Sequence, residues 1–235
     1  MIPGWTTVAT APAVLVREYG FGPGRANALA VLLPDRKWMI VSPPTRMSPE
    51  EIRAFEAHGE VVALVSNNGS HHLGLGPCRG FFPKAVTYAA PASAERIRKK
   101  GKDFGQLEPT AKLAPLLGSA VSVLLVDGCK IGDIVVRVES EKGAVLYAGD
   151  FIANIQQLPK NVVFRMFFKL TDSGPGLKVF RAFFMFFVAD KKAAIDFLLR
   201  ELQTSPPAVL VPAHGDVIAR PDLGTTLAGM LQAAR

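Results

Sequence analysis

Residues 37–74 constrain this chain more than any other stretch. Residues 37–42 form an apolar run of strand length. Ser48-Pro49-Glu50-Glu51 then marks a helix start. Ser48 can cap, Pro49 suits the first helical position because its missing N–H is not needed there, and Glu51 closes a capping box. Ile52 and Phe55, three apart, share the face that points at a sheet, and Gly59 ends the helix. Val61-Val62-Ala63-Leu64-Val65 follows as a buried strand. This strand–helix–strand unit calls for a parallel sheet. The polar cluster Ser66-Asn67-Asn68-Gly69-Ser70-His71-His72-Leu73-Gly74 sits just past the carboxyl end of the second strand, where open α/β sheets bind ligands.

The same layout occurs twice more. The apolar residues 145–148 run into Gly149-Asp150, and residues 208–211 run into Pro212-Ala213-His214-Gly215. Three strand ends therefore offer His71, His72, Asp150 and His214, which are metal ligands or acid/base groups by type. Neighbours in a strand point to opposite faces, so His71 and His72 need a turn to face one ion. A structural or solvated histidine pair is the plain alternative, and Asp150 could equally cap a turn or pair with a basic residue.

The rest of the chain supplies scaffold. Residues 13–19 read as an edge strand, and residues 27–33 and 37–42 as a hairpin turning at Pro34-Asp35-Arg36. Residues 75–84 read as a loop that carries Phe81-Phe82 beside the site, as core or pocket wall. A strand over 86–89 precedes a helix over 92–102, whose basic face (Arg96, Arg98, Lys99, Lys100, Lys102) reads as solvated. Residues 121–126, 133–138 and 145–148 read as a meander of short β-branched strands. Asp190 caps a helix to about residue 202, and residues 222–234 form a last helix. Residues 161–188 hold more than half of the 15 phenylalanines, with Arg165, Lys169, Lys178 and Arg181 between them. Three uses fit that stretch: a helix pair covering a sheet, a dimer interface or hydrophobic substrate mouth, or contact with a membrane surface. Two strand clusters with flanking helices make an αβ/βα sandwich.

A length of 235 residues can bury one large core, and we read residues 1–235 as a single domain. With 49% apolar and 20% charged residues the composition is globular and not disordered. A net charge of +7 favours acidic partners, whether phosphorylated substrates, nucleic acid or an anionic surface, and also suits a plain basic protein. The basic run at 96–102 has no interleaved aromatics, which argues against a specific nucleic-acid partner. Cys78 and Cys129 form no CxxC pair and no disulfide framework. That points to a reducing compartment, the cytoplasm. We see no signal peptide in Met1-Ile2-Pro3-Gly4-Trp5 and no apolar run of transmembrane length.

The order and setting of the three strand ends resemble the metallo-β-lactamase superfamily, whose first motif is Thr-His-x-His-x-Asp-His-x-Gly at a strand end. Placed on it, Ser66 takes the Thr position, Asn67 the first His and Gly69 the second. His71 takes the Asp position, His72 the last His and Gly74 the closing Gly. Gly128-Cys129-Lys130-Ile131-Gly132 resembles the family's Gly-His-x-x-Gly, with Cys129 in the His place. Gly149-Asp150 resembles its Gly-Asp, the source of a bridging ligand, and Ala213-His214-Gly215 its final Gly-His-Gly.

The resemblance spans nearly the whole chain. It implies an α/β fold, a four-layer αβ/βα sandwich of mixed sheets with helices on the outer faces, and a site along one edge. It also implies a metal-activated water that attacks an ester, amide, thioester or phosphoester. The family's first metal set becomes Asn67, Gly69, Cys129 and Asp150, a poor donor set. The second becomes His71, His72, Asp150 and His214, which suits one divalent ion, Zn²⁺ first and Fe²⁺ or Mn²⁺ as alternatives. Two functions stay open. One is a mononuclear metal-dependent hydrolase of an unknown small-molecule substrate, with specificity from residues 75–84 and 161–188. The other is a catalytically inactive binding or structural member, without metal and dimeric through residues 161–188. Cys129 reads as a packed thiol or as a ligand or redox group.

Overall fold

The computed structural model describes residues 1–21, 24–101, 104–158 and 160–235; Lys102 of the basic run lies outside them. A first sheet of seven strands opens with β1 (Thr6–Thr10), β2 (Ala13–Phe21), β3 (Gly24–Leu33) and β4 (Lys37–Val41), each antiparallel to the one before it. It continues in parallel through β5 (Glu60–Val65), β6 (Val86–Ala89) and β7 (Leu107–Pro109). The switch to parallel comes at helix α1 (Pro49–His58), where Ser48 Oγ accepts the Glu51 N–H and Glu51 accepts the Ser48 N–H. The capping box expected from the sequence is thus formed. Helices α2 (Leu75–Phe81), α3 (Pro91–Arg98) and the short α4 (Ala114–Leu117) complete this half.

The second sheet holds β8 (Val121–Leu125), β9 (Ile134–Ser140) and β10 (Gly143–Tyr147) as the expected meander. β11 (Ile152–Ile155) and β12 (Gly176–Val179) form a separate ribbon that carries α5 (Val162–Leu170) in its loop and α6 (Arg181–Phe187) after it. Helix α7 (Lys191–Thr204) starts on Asp190, whose carboxylate accepts the Ala193 N–H. It leads to β13 (Pro207–Val211), parallel to β10, then to the short β14 (Ile218–Ala219) and α8 (Leu223–Ala234).

The two sheets face each other across an apolar core of alternate residues: Val14, Leu29, Met39 and Val65 from one, Val136, Val145, Tyr147 and Val211 from the other. The outer face of the first sheet packs on α1, α2 and α3, and that of the second on α6, α7 and α8. The architecture is the four-layer αβ/βα sandwich expected. No helix among the described residues is long and apolar enough to cross a membrane.

Two expectations need correction. Residues 13–19 are not an edge strand: β2 lies between β1 and β3, because Thr6–Thr10 adds an outer strand whose alternation is too short to read. Residues 75–84 are not a loop throughout. α2 forms despite Gly76, Pro77 and Gly80, since Pro77 lies in the first turn, where its N–H has no intrahelical partner to lose. The burial of Leu75 and Cys78 in the outer core then holds it. Phe82 goes with them, packing on Phe55 at 6.1 Å and not on the strand-end cluster.

One exposed link joins the two halves. Glu141, in the β9–β10 turn, accepts hydrogen bonds from the Thr10 N–H, the Thr10 hydroxyl and the Ala11 N–H. Those backbone and hydroxyl donors hold its carboxyl down to about 2, from an ordinary 4.5. A depressed folded-state pKa contributes stability that is present above 4.5 and lost as pH falls through about 2. Glu141→Gln is therefore expected to flatten the loss of stability over that acid window, read as urea midpoints against pH. An unchanged profile would show that the link contributes nothing.

Candidate metal centre

Each of the three strand ends delivers one ligand-type side chain to one point. β10 and β13 run parallel with Tyr147 opposite Val211, so Asp150 and His214, each three positions further on, emerge level with one another. Gly149 turns the chain there with φ +54, and a Cβ on it would lie 2.7 Å from Asp133 Oδ1. Gly215 has φ +97 and lies against the Asn154 carbonyl. Beyond β5, Asn68 Oδ1 accepts the N–H groups of Ser70 and His71, at 2.8 and 3.3 Å. This turn aims His71 at Asp150.

His71 Nε2 lies 3.3 Å and His214 Nε2 3.2 Å from Asp150 Oδ1. The three donor atoms all fall within 4.8 Å of one another. His72 is not in the group. Its buried ring meets Phe104 edge-on at 5.4 Å.

The groups behind the ligands are set as a metal site needs them. His214 Nδ1 lies 2.7 Å from the Arg25 carbonyl and so carries the proton, which turns the Nε2 lone pair inward. His71 Nδ1 lies 2.9 Å from Ser42 Oγ, which is 2.9 Å from the Tyr19 hydroxyl. Asn68 Nδ2 donates to Asp150 Oδ2 at 2.7 Å. Asp150 Oδ1, by contrast, is buried and receives no aligned hydrogen bond, although both imidazoles are close. Buried carboxylate oxygens are ordinarily satisfied; a cation between Oδ1 and the two Nε2 atoms would satisfy this one, so the residues fit a single ion.

The electrostatics agree. Burial raises the Asp150 carboxyl, but the His71 and His214 imidazoles outweigh it and hold it well below the usual carboxylate range. Burial opposes charge on His214, yet Asp150 and the Arg25 carbonyl raise it above its ordinary value. Burial, then the Asp150 charge, push Asp133 up, while the Asp150 N–H pulls it down through a 3.1 Å hydrogen bond. Burial pushes Tyr19 up to about 12, so its hydroxyl keeps its proton.

The residues aligned with the family's first metal set do not fit a second ion. Asn67 Nδ2 donates to Asp133 Oδ1 at 3.2 Å. The Arg96 side chain lies across Gly69, so that a Cβ there would be 2.5 Å from its Cδ and 2.8 Å from its Cβ. Arg96 is thus not on a solvated face; its guanidinium caps the Phe187 ring at 5.5 Å. The Cys129 thiol lies 3.6 Å from the Phe187 carbonyl, and burial pushes it up to about 11. It is a packed thiol. Asn67→His with Gly69→His is therefore expected to gain no second ion and to lose about 1–3 kcal/mol by overpacking, while adding Arg96→Ala relieves the collision. Metal stoichiometry and urea midpoints check both, and recovery without Arg96→Ala would sink the steric account.

The triad floors a cavity of about 290 Å³. Tyr19, Phe21, Ser70 and Leu73 form part of its wall, and Phe180 with residues of α5 and α6 the rest. Helices α5 and α6 arrive there because the β11–β12 ribbon starts just after Asp150, and Asn154 N donates to the His214 carbonyl at 3.0 Å. Sequence reading missed Ser42, Asn68 and Arg96. Only Asn68 carried a signal, its place inside the polar cluster.

No family model matches the sequence, and no curated protein matches it. Solved structures do. The DIM-1 metallo-β-lactamase superposes with a TM-score of 0.62 at 14% identity, covering 100% of both chains. The FIM-1 metallo-β-lactamase from Pseudomonas aeruginosa, in its mono-zinc form, gives 0.60 at 15% identity over 98% of this chain and 95% of that one. A metal-soaked Flv1 flavodiiron core from Synechocystis gives 0.60 at 11% identity, covering 97% of this chain and 60% of that one. At these identities the likeness is one of fold.

Proposed function

From the metallo-β-lactamase fold, which this chain adopts, we propose that the protein is a mononuclear metal-dependent hydrolase with His71, Asp150 and His214 as ligands. The observation that carries this reading is the buried Asp150 Oδ1, which receives no aligned hydrogen bond and lies 3.3 Å from His71 Nε2 and 3.2 Å from His214 Nε2. With His72 outside the group of converging ligand atoms, three protein ligands remain, which leaves a position open where four would close a tetrahedral site. Two imidazoles and one carboxylate suit Zn²⁺, and equally Fe²⁺ or Mn²⁺. When bound, such an ion supplies a water of pKa about 7 as nucleophile.

The chain's own residues do the rest. Ser42 and the Arg25 carbonyl fix the two rings, and Asn68 fixes the carboxylate. Tyr19, protonated and joined to Ser42, lines the cavity as a neutral hydroxyl. A substrate seated against the aromatic walls would exclude water, which strengthens electrostatic interactions at the triad.

The test is elemental analysis of protein purified without a His-tag, followed by a screen of esters, thioesters and amides. About one ion per chain with metal-dependent hydrolysis is expected. No ion after reconstitution with zinc, iron and manganese would overturn the proposal. A second reading, a catalytically inactive binding member, is favoured by Arg96 lying over Gly69 in the place of a second ion. Metal uptake without turnover of any ester, thioester or amide would select it.

A further inference from the structure

The cavity above the triad has a definite chemical character. Its titratable lining groups are Tyr19, His71, Asp150 and His214, all of which belong to the floor network described above. Among the described residues no lysine or arginine lines it, despite the net charge of +7. The remaining wall is mostly aromatic, and the rings reach down to the ligands. Phe21 lies 6.0 Å from His214 and 6.3 Å from His71, and Phe180 lies 6.0 Å from His214. Phe168 stacks on Phe180 at 5.5 Å, and Phe167 meets Phe186 at 5.8 Å, so α5 and α6 form one continuous wall.

Away from the triad, whose ion would be the reacting centre, a phosphorylated or carboxylated group would meet no cation in the wall, and burying an unpaired charge is costly. An uncharged apolar group would replace poorly satisfied water against aromatic faces. An engineered apolar cavity of about 150 Å³ holds one benzene; this one, at about 290 Å³, has room for roughly twice that bulk.

We infer that the substrate carries an uncharged apolar acyl or aryl group, about two aromatic rings in bulk, seated between Phe21 and the α5–α6 wall with its hydrolysable bond at the triad. This rests on the reading of the triad as the reacting centre. The bond broken is the acyl–oxygen, acyl–sulfur or acyl–nitrogen bond. Water supplies OH to the acyl carbon and a proton to the leaving group.

The test separates the two claims because it uses metal-free protein. The neutral fluorophore phenylnaphthylamine is titrated, with octanol, ethanol and octyl phosphate as competitors. Saturable binding is expected, displaced by octanol far better than by ethanol and no better by octyl phosphate. Ala182→Leu fills the cavity, and Leu73→Gln adds a polar group at its half-exposed rim. Either is expected to weaken the probe at least about tenfold. Val163→Gln and Met166→Gln alter the exposed outer face of α5, away from the cavity, and should leave binding within about twofold. Leu73→Gln removes no buried group, so it reports even where Ala182→Leu misfolds. Loss of binding on changing Val163 or Met166 and not Leu73, or preference for octyl phosphate, would overturn the inference. Probe binding in a protein that takes up no metal would leave the apolar site standing and remove the hydrolase. Metal uptake without probe binding would do the reverse.

With metal loaded, kcat/KM for nitrophenyl esters should rise at least about 100-fold from acetyl to octanoyl, as each methylene enters the aromatic wall. A flat series would contradict the seat proposed.

Discussion

His214→Ala and Asp150→Asn proteins are expected to hold less than about a tenth of an ion per chain under conditions where the parent protein holds about one. Each variant removes one of only three protein ligands. Losing an outer partner of a ligand alone costs 10–100-fold in metal affinity, so losing a ligand should exceed about 100-fold. His72→Ala should keep its ion, because that ring packs on Phe104 and is not among the three converging ligand atoms. Equal metal loss in all three would place His72 back among the ligands.

The pH dependence follows from the same contacts. When no metal is bound, the Asp150 carboxylate and the Arg25 carbonyl favour a proton on His214. That proton must leave for a metal, so uptake releases protons and affinity falls as pH falls. In metal-free protein, stability from a raised histidine is present below its ordinary 6.5 and lost as pH rises through the folded value. Stability from the lowered Asp150 is present above 3.8 and lost as pH falls through its folded value. Urea midpoints in chelator should therefore decline on the alkaline side of 6.5, and His214→Ala should remove that decline.

Phe55→Ala is expected to cost about 3–5 kcal/mol, the range for truncating a buried Phe. Phe55 is fully buried on α1 and meets Trp5, Trp38 and Phe82 edge-on at 5.2, 5.4 and 6.1 Å. No one of these rings can move in without breaking its own contacts, so the cavity stays open. The cluster lies on the outer face of the first sheet, among α1, α2 and α3, and not in the sheet edge that holds the triad. The folded fraction should accordingly bind metal as the parent does. A loss below about 1 kcal/mol by urea unfolding would show that the layer collapses, and loss of metal from folded protein would show that it supports the site.

These two results probe different levels of the chain, and the levels were not equally legible. The helix at Ser48-Pro49-Glu50-Glu51 was readable because its capping bonds span three residues. The strand ends at Val65, Tyr147 and Val211 were readable because each apolar run gives way within three residues to a polar residue, after Gly149 in one case and Pro212 in another. The ribbon β11–β12 was not, since Ile152–Ile155 and Gly176–Val179 are short and pair across a long insertion that holds α5. The Phe-rich residues themselves were plain, but which side they would cover was not.

By itself the sequence determined an α/β fold with its parallel switch at α1, three polar strand ends, and the absence of imidazole at positions 67 and 69. All of these depend on residues close together along the chain. Tertiary structure alone decided that Tyr147 stands opposite Val211, which brings Asp150 level with His214. It alone decided that His71 meets Asp150 while the His72 ring packs on Phe104, that Arg96 covers Gly69, and that α5 and α6 line the cavity over the triad. Those choices belong to side chains many residues apart, and they are settled by which packing buries the most apolar surface while leaving the fewest polar groups unsatisfied.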